Sequence, residues 1–228
     1  MRKLLVVLLS VLLASCASTD NIPTVTVTGT ASVVMLPDML SFTVTASNTA
    51  DSTEEARAKT AAMVDSVLSI LKDEYSVADD DIVTSYISIS PAYSWQDGES
   101  ILLGQRAVES LDITLHDLDK AGDILGSLSR LDGIEISAIS ADKEDKSAET
   151  MKARSLAVQD AYDKASVYAN AAGYAIGDLV SLSDSVASSP YYRTYALAES
   201  SADGGSLAYY AGNIEIQDSV TAVYNLIK

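Results

Sequence analysis

One cysteine among 228 residues excludes an internal disulfide, and with one histidine it excludes the Cys/His clusters that hold zinc or iron. Positive charge is also scarce: 15 Lys and Arg stand against 32 Asp and Glu, for a net charge of −17. Such an acidic chain is not built to follow a phosphate backbone, so nucleic acid is not an expected partner. Phe and Trp occur once each, against 12 Tyr, and one tryptophan is thin provision for a sugar cleft. After residue 16 no apolar run approaches the ~20 residues needed to cross a bilayer.

Catalytic patterns are equally sparse. A Ser–His–Asp arrangement would have to use His116, which sits in "TLHDLDK" and reads as a hydrogen-bonded surface histidine. Gly122 and Gly126 lack the Lys-Ser/Thr of a phosphate loop. The run Asp79-Asp80-Asp81 has no calcium-loop glycine or downstream glutamate, and reads as a cap before a strand. A carboxylate pair of the glycosidase kind stays open as a remote alternative, because nothing singles out two acids among so many. The residues therefore indicate no catalytic group, no metal and no cofactor. Their acidity reads as a solvated, mutually repelling surface.

What is present begins with the amino terminus. Arg2 and Lys3 precede an apolar run, Leu4 to Ala14, broken only by Ser10. This has the size and flanks of a signal-peptide core. Leu13-Ala14-Ser15-Cys16 resembles a bacterial lipobox. That resemblance implies cleavage before Cys16, a diacylglycerol on its thiol and an acylated amine, and two or more chains anchor stably where one does not. Residues 1–15 are then a lipoprotein signal peptide and 16–23 a lipidated tether. Removing Arg2 and Lys3 leaves 13 basic against 32 acidic groups, a net of −19, so the lipid rather than charge would hold the membrane. Ala17 replaces the Asp of an inner-membrane retention signal, which favours the outer membrane, facing the periplasm, with exposure at the cell surface as the alternative.

The rest, residues 24–228, reads as one domain with enough apolar content (48%) for a packed core. "TVTVTG" opens as a strand, and Pro37-Asp38 marks a turn. Leu40, Phe42, Val44 and Ala46 then alternate with polar residues, so the two strands are expected to form an antiparallel pair. Ser52 and Glu55 fit a capping box, and Met63, Val64, Val67, Leu68, Ile70 and Leu71 form the stripe of a helix ending near Tyr75. A third strand carries Val83, Ile87 and Ile89, and a loop is expected to hold Trp95 and "DGES". In strand four Leu111, Ile113 and Leu115 alternate, while Val108 is out of parity, which suggests a bulge near 108–110.

A short helix is expected from about Asp119 to Leu131, then strand five in "IEISAIS". The longest helix, Ser147 to Ala172, carries Ala153, Ala157, Ala161, Ala165 and Ala169. This low i±4 ridge suits close packing, with a ligand groove as the sharper alternative. "DLVSLSDS" reads as strand six. Residues 186–212 lose periodicity and read as a long loop, whose Tyr191, Tyr192, Tyr195, Tyr209 and Tyr210 are candidate interface residues. The last strand, residues 214–227, is long enough to be central or to pair between subunits. The fold class is α+β, a mostly antiparallel sheet system with three helices in the order ββαββαβαββ.

"VTVTGTASVVMLPDMLSFTVTA", "DDDIVTSYISISPAYS", "LLGQRAVESLDITLHDLDKAGDIL" and the alanine-ridged helix occur in one order. Together they resemble the SIMPL-domain family of bacterial envelope proteins, which includes periplasmic immunogenic proteins and an oxidative-stress defence protein. The chain departs from the family pattern at Gln105 and in "YAGNIEIQD", both of which bear on oligomer geometry. The resemblance implies no known active site and, for some members, large ring-like assemblies. The expectation is a non-catalytic, acyl-anchored envelope protein acting through self-assembly and protein contacts, in envelope or oxidative-stress defence. Its partners would be the membrane, through lipid on Cys16, and copies of itself. The alternative is a monomeric periplasmic module that binds a small or basic ligand beside the alanine ridge.

Overall fold

A computed structural model describes residues 22–184 and 212–228. Its strands are β1 (Thr24–Met35), β2 (Met39–Ala50), β3 (Ile82–Gln96), β4 (Glu99–Leu115), β5 (Ile134–Asp142), β6 (Ala175–Asp184) and β7 (Ile214–Ile227). The helices are α1 (Thr53–Ser69), α2 (Ala121–Leu128) and α3 (Ser147–Ala171). The class is α+β, and the elements follow the expected order. Among the described residues the chain divides into two compact units: 22–31, 153–184 and 218–228 in the first, 32–152 and 212–217 in the second.

In the first unit β7 is the middle strand of a sheet ordered β1-β7-β6. Ala153, Ala157, Ala161, Ala165 and Ala169 are wholly or almost wholly buried. Ala157, Ala161 and Ala165 pack with Val27, Val220, Ala222 and Tyr224. A ridge one methyl high allows this approach, and packing consumes it, so no ligand groove runs along it. Tyr162 of α3 meets Tyr224 edge-on at 6.0 Å. Asp160 fastens the helix to β1 by accepting from the Thr30 amide at 2.7 Å and from Lys164 at 2.6 Å.

In the second unit the sheet runs β3-β4-β2-β5. Leu40, Phe42, Val44 and Ala46 of β2 join Leu111, Ile113 and Leu115 of β4 beneath α1 and α2. Val64, Val67 and Leu71 of α1 and its continuing π turn (Ile70–Glu74), with Ile124, Leu125 and Leu128 of α2, complete that core. The cap on α1 forms as expected, with the Glu55 amide donating to Ser52 Oγ at 3.2 Å.

Three expectations need correction. β1 and β2 do not pair: β1 lies beside β7, and β2 lies between β4 and β5. Their apolar faces suit different helices, since the bulky row of β2 needs the wide stripe of α1. The Val27/Gly29 face of β1 suits the low alanine ridge. The suspected bulge in β4 is instead in β3, at Ser85, between the pairs Thr84↔Leu111 and Tyr86↔Ser110. β4 itself runs unbroken against β2 from Gln105 to Leu115, and Val108 simply lies on its other face.

Trp95 is not in a loop. β3 and β4 pair up to Gln96↔Glu99, and Asp97-Gly98 closes a two-residue turn with φ of 54° and 86°. Two positive φ values define the hairpin turn that Asp-Gly favours. The long last strand, β7, lies between β1 and β6, and β6 pairs with it from Val220 to Ile227. Sheet centrality, the other expectation for this strand, is what is found.

Candidate functional site

Thr60 and Ala56 of α1 pack at Ala107, and the β3–β4 hairpin continues past that point to Gln96↔Glu99 as an arm whose faces are exposed among the described residues. β3 is an edge strand. From Ile87 to Trp95 large apolar residues alternate with small ones: Ile87, Ile89, Pro91, Tyr93 and Trp95 on one face, Ser88, Ser90, Ala92 and Ser94 on the other. The apolar row is exposed, at 66% for Ile87, 40% for Ile89, 58% for Tyr93 and 75% for Trp95. Leu102, paired with Tyr93, adds a further exposed side chain. None of the 15 residues of β3 is charged.

Water would normally drive such a row inward, and contiguous exposed apolar patches mark contact sites. Where the row approaches α1, a groove of about 220 Å³ opens, lined by Arg57, Thr60, Ile87, Ile89, Ala107 and Glu109. The arm owes its shape to a backbone device. Between Ala92↔Gly104 and Tyr93↔Leu102 the register shifts by one residue at Leu103. Gly104 there takes φ +132°, with its Cα against the Ala50 carbonyl.

The second polar cluster surrounds His116. Its Nε2 lies 3.2 Å from Asp81 Oδ1 and its Nδ1 3.6 Å from Glu144 Oε2. Both ring nitrogens thus lie beside carboxylates. Nearby, Lys120 holds Asp117 at 2.8 Å. Their hydrogen bond keeps the carboxyl below its ordinary range and the amine above its own. A lysine tuned upward is the reverse of what a nucleophile or base needs. A cavity of about 180 Å³ beside this cluster is lined by Tyr75, Val77, Asp81, His116, Lys120 and Ile124. No helix among the described residues is long and apolar enough to cross a membrane.

Cys16 and the tyrosines Tyr191, Tyr192, Tyr195, Tyr209 and Tyr210 lie outside the described residues. His116 lies at the end of β4, half-exposed and hydrogen-bonded, as expected. Sequence reading missed the arm's tyrosine and tryptophan, although the signal was there. An Asp-Gly pair flanked by alternating apolar residues is a hairpin mark, and reading "DGES" as a loop cut the alternation short.

These features define an α+β protein with an exposed apolar hairpin. The chain belongs to the SIMPL family, described as proteins of unknown function (DUF541), which it matches over residues 25–224. It is 28% identical over 207 residues to the uncharacterized protein YggE of Escherichia coli strain K12, covering 90% of this chain and 83% of that protein. With the uncharacterized protein YggE of Edwardsiella ictaluri strain 93-146 it shares 29% identity over 211 residues, covering 90% and 88% respectively.

Proposed function

We propose that this is a non-catalytic, acyl-anchored envelope protein that works by self-assembly and protein contact. The observation that carries this reading is the uncharged, exposed apolar row of β3, the kind of surface that marks a contact site. Lipid on Cys16 would concentrate copies at one membrane, the outer one, and so favour their association. Envelope or oxidative-stress defence is the setting that the family resemblance suggests. Tyr191, Tyr192, Tyr195, Tyr209 and Tyr210 would add contacts.

The test is the native mass of the chain from Ser18 onward, measured by light scattering across dilution at physiological salt. A defined multimer that persists on dilution supports the reading. A monomer at every concentration removes self-assembly as a property of the domain and leaves a monomeric binding module. The cavity beside His116, with Asp81 on its wall, would then be the first place to look for a small or basic ligand.

A further inference from the structure

The geometry points to a specific mode of self-contact, which rests on the assembly reading above: Trp95 of one copy seats in the α1–β3 groove of a second copy, and reciprocally. Three observations select a second copy of this chain. The first is charge. Two strongly acidic copies repel wherever acidic surfaces meet; β3 offers 15 residues without a charge, and in the groove the one acid, Glu109, stands with Arg57. A basic partner would find better surface elsewhere.

The second is the size gradient along the row. Its aromatic residues, Tyr93 and Trp95, lie toward the turn, and Ile87 and Ile89 lie at the other end. A two-fold, antiparallel pairing centred on Pro91 sets Trp95 opposite Ile87 and Tyr93 opposite Ile89, large against smaller in both directions. Trp95 then meets the groove of about 220 Å³ that Ile87, Ile89 and Arg57 line. The Arg57 guanidinium can lie against the indole face, and the acidic turn, Asp97 and Glu99, comes toward the same arginine. The third is area. The row and Leu102 put five large apolar side chains, each at least 40% exposed, on one continuous surface, the core that a ~800 Å² per partner interface needs.

The contact uses the strand's face rather than its free edge. Pro91 stands mid-row without an amide hydrogen, which interrupts strand addition along β3.

Trp95 is the only tryptophan, so its emission reports this contact directly. The full chain, as its host processes it and in mild detergent, is followed by tryptophan emission and iodide quenching alongside light scattering over a dilution series. The expected result is blue-shifted, quencher-protected emission in the assembly that reverts to an exposed spectrum as mass falls. Trp95→Ala and Arg57→Glu should each weaken association by about tenfold or more, as expected for an aromatic anchor and its pocket. Ser94→Lys, on the opposite face of the strand, should leave association unchanged.

A multimer whose tryptophan stays exposed overturns this contact while leaving the assembly reading intact. Protected emission that ignores dilution and Arg57→Glu assigns Trp95 to detergent or lipid, and overturns it too. A monomer throughout removes both.

Discussion

The Cα of Gly29 on β1 lies directly against the backbone carbonyl of Ala157 on α3, and a Cβ there would overlap both that oxygen and the Ala161 amide. The position needs glycine for space, since its φ is not in the left-handed region. Ala157 and Ala161 are themselves wholly buried, so neither partner can retreat.

Gly29→Ala should therefore push α3 off the sheet and cost about 3 kcal/mol, the upper range for overpacking a tight core. Urea unfolding checks this, with the lost free energy appearing as a lower midpoint at unchanged slope. Gly177→Ala is the comparison, because its added Cβ meets neighbours at 3.1 Å and beyond, and it should cost clearly less.

At Gly104 the demand is conformational as well as spatial. Gly104→Ala places a Cβ against the Ala50 carbonyl at φ +132°, and about 3 kcal/mol of destabilisation is expected. Gly98, at φ +86° with open space around it, should lose only about 1 kcal/mol on replacement by Ala. If the two variants unfold at the same denaturant concentration, the close approach to Ala50 is not what holds the arm.

Asp218 is buried on β7, at 3% exposure, and Arg154 Nε of α3 donates to it at 3.1 Å. The Ser219 amide donates to its other oxygen at 2.8 Å. Removing the guanidinium by Arg154→Met leaves that carboxylate with less than its full set of donors. Because the arginine is half-exposed, the loss should be about 2 kcal/mol rather than the 3–5 of a fully buried pair. Thermal unfolding of Arg154→Met against Arg154→Met/Asp218→Asn tests it: the second change should recover part of the loss.

The pH dependence has a sign that follows from Asp160. Its hydrogen bond from Lys164, and then that from the Thr30 amide, lower its pKa in the folded state. A depressed folded pKa contributes stability that is present above the unfolded value, near 3.9, and fades as pH falls through the folded value. Asp160→Asn should flatten the acid limb of a stability–pH curve and leave its shape near neutrality unchanged. An acid limb that keeps its slope in this variant would show that other carboxylates set it.

Much of the architecture was legible in the chain. The Ser52–Glu55 cap, the stripe through Val64, Val67 and Leu71, the alanine ridge and the period-two rows of β2 and β7 are local signals. Each depends on residues a few positions apart, so each could be read without knowing the fold. Tertiary structure alone decided which strands became neighbours. β1 and β2 are three residues apart in sequence and lie in different sheets, because each strand is claimed by the helix whose relief fits its buried face.

The same reason hid the candidate site. In sequence, Ile87, Ile89, Tyr93 and Trp95 carry the alternation of any half-buried strand, and alternation says only that one face is apolar. Whether that face is covered depends on where α1 ends over β4, more than twenty residues away in the chain. Burial is a property of the assembled surface, and only the folded chain shows that this row was left in water.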